Sequence, residues 1–245
     1  MRRVMFTWRG FTVHSYPAMQ YVGLVAGVFA ANAAAYSANI DPFRTFVATC
    51  ILLFPALAGA RLLFVASHWS VYRQNRSRIW NRNEGGAGQY GGLLLAVPLS
   101  VPLLHALDLP FGPFWDVSMF TILVGMIFTR VGCLLNGCCG GRATTSWFSM
   151  YLPDVRGVWE RRIPTQLLEA AWAVILLAAA IAIWPHLPFP GALLLLVSSG
   201  YAGGRLVLES TRASMRHGER FTLHHAVSLL IIALSVAAIT IRGPE

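Results

Sequence analysis

Phe114-Trp-Asp-Val-Ser-Met-Phe-Thr-Ile-Leu-Val-Gly-Met-Ile-Phe-Thr-Arg130-Val-Gly-Cys133-Leu134 is apolar over about the 20 residues that a helix needs to cross a bilayer, and it closes on an arginine, a glycine and a cysteine. Six other stretches read the same way: 16–36, 43–66, 89–107, 165–184, 189–208 and 222–241. Mean hydropathy is +0.58 and only 12% of residues are charged, so a soluble globular enzyme is excluded. Seven spans use up the 245 residues and leave no length for a second domain. The expectation is an all-α integral membrane protein, one domain over 1–245, with seven transmembrane helices and a small polar cap on one face.

Seven spans also fix sidedness by counting. The start of the first, the end of the second, the start of the third and so on share one face. There stand Tyr16, Arg61, Tyr90, the run from Arg130 to Asn136, Gln166, Glu169, Arg205, Glu209, His224 and His225. Residues from opposite ends of the chain are therefore expected to converge on one polar site at one membrane surface.

Charge follows the same division. All 19 basic residues are arginine, and 14 of them lie in the N-terminal segment and in loops 67–88, 135–164 and 209–221. Arginine stays charged and presents a planar fork of donors that matches phosphate. The positive-inside rule would put this face in the cytoplasm. A surface that captures anionic lipid headgroups would be basic for its own reason.

Arg61, Arg130 and Arg205 fall within or at the end of spans, where a charge needs a partner, a route to the interface, or a function. Glu169 or Glu209 could pair with Arg61. Arg205 and Glu209 are four apart on one helix face, and Arg212 is three beyond Glu209. That pattern is either a charge ladder on a helix surface or a carboxylate aiming arginines at a phosphate.

Arg130-Val-Gly-Cys133-Leu-Leu-Asn136-Gly-Cys138-Cys139-Gly-Gly141-Arg142 is the densest cluster. Its glycines let backbone N–H groups face a ligand. Cys138 and Cys139 are adjacent and no Cys-x-x-Cys pair is present, which speaks against a metal site. The thiols are expected to pack as small hydrophobes. His224 and His225 are candidate proton acceptors.

This run is similar to the central signature of the prolipoprotein diacylglyceryl transferase family. Other segments resemble that family in the right order: Gly10 to Tyr16, Gly59-Ala-Arg61, the glycine-rich Gly85 to Gly92 with Tyr90, Pro164-Thr-Gln166-Leu-Leu-Glu169, and Tyr201 to Arg212. The resemblance covers nearly the whole chain. It implies transfer of a diacylglyceryl group from phosphatidylglycerol to the lipobox cysteine of a prolipoprotein signal peptide, forming a thioether and releasing glycerol 1-phosphate. It implies membrane lipids as surroundings and no part for nucleic acid. No metal or organic cofactor is expected. Arg130 and Arg205 would hold the leaving phosphate, with Tyr90 as the third catalytic residue. Tyr16, Arg61, Asn136, Gly141, Gln166, Glu169, Glu209 and Arg212 would bind substrate.

Two departures stand out. Many members have histidine, proposed as a base, where Tyr90 stands, and an ordinary tyrosine is a poor base at neutral pH but a good donor. Well-studied members have asparagine where Cys133 stands. These changes keep open a paralogue with another acceptor. A lipid- or anion-binding transporter is the non-enzymatic alternative. It calls for polar residues running to the opposite face, where 165–184, 189–208 and 222–241 are almost wholly apolar. The expected place is the bacterial cytoplasmic (inner) membrane, multi-pass, with the active face and the N-terminus outside. The resemblance is followed here against the arginine count.

Overall fold

The computed structural model describes residues 2–80, 89–153, 157–212 and 223–242. Every apolar stretch is a helix: α1 (Ser15–Ser37), α2 (Pro42–Ser67), α4 (Gln89–Ala106), α5 (Phe111–Asn136), α6 (Thr165–Ile183), α7 (Ala192–Glu209) and α8 (Leu223–Ile241), with a one-turn α3 (Trp69–Tyr72) between. Among the described residues, α1, α2, α5, α6 with its continuation to His186, and α7 are long and apolar enough to cross a bilayer. The apolar parts of the other two, Tyr90–Ala106 and His225–Ile241, are shorter than the seven-span expectation requires. Helix α5 starts before the apolar run because Pro113 is tolerated in a first turn, and it stops at Asn136 because Gly137 takes a left-handed φ of 71°.

The chain divides into two compact units, residues 35–114 and residues 1–34 with 115–245. In the smaller unit α2 packs on α4. Gly59 and Gly91 meet so closely that a Cβ on either would strike the other's carbonyl, so these glycines of the expected motifs serve helix contact. Asp41 caps α2 by accepting from the Phe43 and Arg44 N–H groups at 2.8 and 3.1 Å.

In the larger unit α1 lies against α5, with Gly23 facing Phe128 and the Thr121 hydroxyl donating to the Gly27 carbonyl at 3.0 Å. Helix α6 lies against α7, with the Trp172 indole over Gly204 and its Nε1 donating to the Gly200 carbonyl at 3.2 Å. Asp116 of α5, 2% exposed, accepts from the Gly191 and Leu194 N–H groups at 2.6 and 2.9 Å and so caps the start of α7. A buried carboxylate in an apolar span is stabilised by this role, because the free N–H groups of a helix start carry partial positive charge.

Two antiparallel hairpins complete the unit. Strands β1 (Val4–Trp8) and β2 (Phe11–His14) turn at Arg9 and Gly10, both at positive φ. Strands β3 (Met150–Pro153) and β4 (Trp159–Arg162) form the cap expected of 135–164. That cap is less polar than expected: Trp147 is 92% exposed, and Tyr151 and Trp159, whose rings lie 5.7 Å apart, are exposed as well.

Candidate functional site

Four segments of the larger unit meet: the end of α5, the turn after it, the start of α6 and the end of α7. Arg130 comes from α5, Glu169 from α6, and Arg205, Glu209 and Arg212 from α7 and the turn that ends it. Glu169 takes all three arginines. Its Oε2 is 2.8 Å from Arg130 Nε, and its Oε1 accepts from Arg205 Nη1 at 2.6 Å and from Arg212 Nη2 at 2.7 Å. Arg205 also reaches Glu209 Oε2 through Nη2 at 2.7 Å. Glu169, Arg205 and Glu209 are buried, and Arg130 and Arg212 nearly so. Among the described residues, three guanidiniums face two carboxylates, which leaves one positive charge over in a poorly solvated cluster.

The arginines meet because of helix arithmetic. Arg130 is fourteen residues from Asp116, and Arg205 fourteen from Gly191, the residue Asp116 caps. At about 1.5 Å rise per residue both arginines stand about 21 Å along their helices from one shared anchor.

The turn after α5 is held from several sides. The Gly137 and Cys138 N–H groups bond back to Leu134 and Cys133, and buried Gln166 donates to the Cys138 carbonyl at 2.7 Å. Gly141 pairs with the Ile163 carbonyl, and Arg142 with Thr211. A Cβ at Gly141 would lie 2.5 Å from the Thr165 hydroxyl, 2.6 Å from the Ile163 carbonyl and 2.7 Å from the Thr211 carbonyl. Gly141 is therefore a closure point of the turn. The sulfurs of Cys133, Cys138 and Cys139 lie within 4.8 Å of one another. Cys139 sits at φ 60°, is exposed, and has Arg212 and Arg130 as electrostatic neighbours.

Tyr16 faces this trio and Arg130, with its backbone against Gly132 and its hydroxyl accepting from Gln20 at 3.3 Å. Asn136 reaches Cys138 with its side chain, and its carbonyl accepts from Arg3 at 3.2 Å. Arg61 Nε donates to the Ile79 carbonyl at 2.7 Å and its Nη2 to the Arg78 carbonyl at 3.2 Å, with the guanidinium over Phe64 and Tyr72. Tyr90 is buried in the smaller unit. The side chain of His224 and the run Gly85 to Gly88 lie outside the described residues, and His225 lies in α8. The sequence reading gave no role to Tyr201, whose ring lies among Arg130, Arg205, Glu169 and Arg212. Its signal is the four-residue step to Arg205, one turn along the same face. Asp116 was missed as well, though a lone acid inside an apolar span is itself a signal.

A sequence profile of the family described as prolipoprotein diacylglyceryl transferase matches residues 3–241. A phosphatidylglycerol–prolipoprotein diacylglyceryl transferase of Bacillus cereus (strain ATCC 14579) is 28% identical, over 98% of this chain and 92% of its own length. One from Streptococcus equi subsp. equi (strain 4047) is 30% identical, over 91% of this chain and 89% of its own.

Proposed function

We infer that this chain, which belongs to the prolipoprotein diacylglyceryl transferase family, transfers the diacylglyceryl group of phosphatidylglycerol to a prolipoprotein. The observation that carries the reading is the positive charge left over in the buried Arg130, Arg205, Arg212, Glu169 and Glu209 cluster. A phosphodiester brings one negative charge, and the leaving glycerol phosphate brings two as the bond breaks. Guanidiniums already oriented by carboxylates stabilise that gain without rearranging. Glu169 then serves as the hub that sets the direction of three forks. Tyr201 and Tyr16 offer hydroxyl donors at the edge of the same cluster. The nucleophile is the lipobox cysteine of the acceptor, and Arg130 and Arg205 face the phosphate that departs. The protein works in the bacterial cytoplasmic membrane, with this cluster on the outer face.

The test is direct. Purified protein in detergent, with phosphatidylglycerol and a lipobox peptide, should yield a peptide heavier by one diacylglyceryl group and a stoichiometric amount of glycerol phosphate. Glycerol phosphate release without a peptide adduct would point to the paralogue with another acceptor. Neither product, from protein that still binds phosphatidylglycerol, would sink the enzymatic reading.

A further inference from the structure

The three-cysteine turn is placed beside the arginine cluster, and the reaction proposed above gives it no task. The spacing Cys133, Cys138, Cys139 speaks against a metal only if the chain runs straight on. It does not: Gly137 and Cys139 both take left-handed φ, at 71° and 60°, and the chain folds back so that all three sulfurs lie within 4.8 Å. A left-handed cysteine is unusual, and such strain persists only where the surroundings enforce it. Here they do, through the Cys138 N–H to Cys133 carbonyl bond at 3.1 Å and the Gln166 clamp. Thiolates about 2.3 Å from a tetrahedral zinc stand about 3.8 Å apart, so side-chain adjustment alone closes the site. Among the described residues no fourth His, Cys, Asp or Glu joins the group. Three protein ligands with one position open is the pattern of a zinc that handles substrate rather than one that holds a fold.

We propose that Cys133, Cys138 and Cys139 bind a thiophilic divalent metal, zinc, whose open fourth position takes the acceptor's cysteine sulfur beside the arginines that hold the phosphate. Asn136 and Gln166 act as its outer support. A metal-coordinated thiol is deprotonated outright, so the acceptor sulfur needs no separate base. The step balances. The acceptor thiol gives its proton to water on binding the metal. Its sulfur attacks the diacylglycerol carbon that bears the phosphate, a C–S bond forms and the C–O bond breaks. The electron pair leaves on the phosphate oxygen as glycerol phosphate, and the metal keeps its charge. Exposed Cys139 gives the open side an approach from outside. This proposal rests on the transferase reading.

The experiment uses full-length protein in nanodiscs, loaded with zinc or with cobalt(II) as a coloured substitute. We expect about one metal per chain by mass spectrometry and a sulfur-to-cobalt charge-transfer band. The cobalt visible bands should shift when a lipobox peptide is added and stay put with its Cys→Ser form. Stripping the wild type with a chelator should lower transfer at least tenfold, and zinc should restore it. Cys139→Ser should lose the charge-transfer intensity in proportion, while Cys50→Ser, on α2, should keep everything. The proposal falls if chelated wild type transfers at full rate, if no metal binds at stoichiometric zinc, or if the protein is lighter by two hydrogens and holds a disulfide instead. Cobalt bands that answer the peptide with no diacylglyceryl adduct would sink the transferase reading and leave the metal site standing.

Discussion

Replacing Glu169 by glutamine tests the organisation of the cluster more sharply than removing any one arginine. The substitution keeps shape and one carbonyl oxygen, but the new amide donors face either Arg130 Nε or the Arg205 and Arg212 pair, now 2.6 to 2.8 Å away as donor against donor. At least one charge-assisted bond, about 1.5–3 kcal/mol, is lost outright. The other arginines lose their countercharge, and breaking a buried ion pair from one side costs about 3–5 kcal/mol. If two-thirds of that, about 2–3.3 kcal/mol, is felt where the phosphate binds, kcat/KM falls about 30- to 300-fold at about 1.36 kcal/mol per tenfold. The assay is adduct formation on a lipobox peptide at varied phosphatidylglycerol. Glu169→Asp, which keeps the charge and shortens the reach, should lose about tenfold. Because the lipid phosphate supplies the missing negative charge, phosphatidylglycerol should protect Glu169→Gln from heat more than it protects wild type, and phosphatidylcholine should not. A Glu169→Gln enzyme within threefold of wild type and equally heat-stable would refute the argument that this carboxylate organises the arginines.

Three further outcomes are expected. Arg130→Ala and Arg205→Ala should each abolish transfer in protein that still inserts, and lysine should rescue poorly because it lacks the bidentate fork; turnover near wild type in either alanine variant would remove that arginine from the mechanism. Gly141→Ala should cost about 1–3 kcal/mol of local overpacking and at least tenfold in activity, whereas Gly140→Ala, whose nearest neighbour is 3.7 Å away, should be tolerated; equal rates for the two would disprove the closure role. A cysteine at Trp147, in a background with Cys50 and the trio replaced by serine, should react with a membrane-impermeant maleimide in intact spheroplasts, and labelling only after lysis would put the cap in the cytoplasm as the arginine count has it.

Apolar runs carry their own boundaries, which is why 165–184 in the sequence became Thr165–Ile183 in space. Burial needs length and period, and both are local. The charge ladder of Arg205, Glu209 and Arg212 was legible for the same reason. What was not legible depends on separations that sequence does not display. Glu169 as the common partner of three arginines needs α5, α6 and α7 brought together. Arg61 as a holder of loop carbonyls needs the path of residues 78 and 79. The cysteine trio was judged by spacing along a straight chain, and the two left-handed residues that bend it were invisible. The hairpin of Phe11–His14 with Val4–Trp8 was hidden in a short aromatic run, although Arg9-Gly10 is a turn signal.

Asp116 has a consequence for how such a protein can change over time. Because one carboxylate pins α7 to α5, the two fourteen-residue intervals to Arg130 and Arg205 are measured from a common origin. One residue inserted in either interval would carry its arginine about 1.5 Å along and about 100° around the helix, off Glu169 altogether. A matching insertion in the other helix would turn the second arginine away too, so the errors cannot cancel. Descendants of this chain are free to lengthen or shorten their surface hairpins, but these two stretches of helix must be inherited at fixed length.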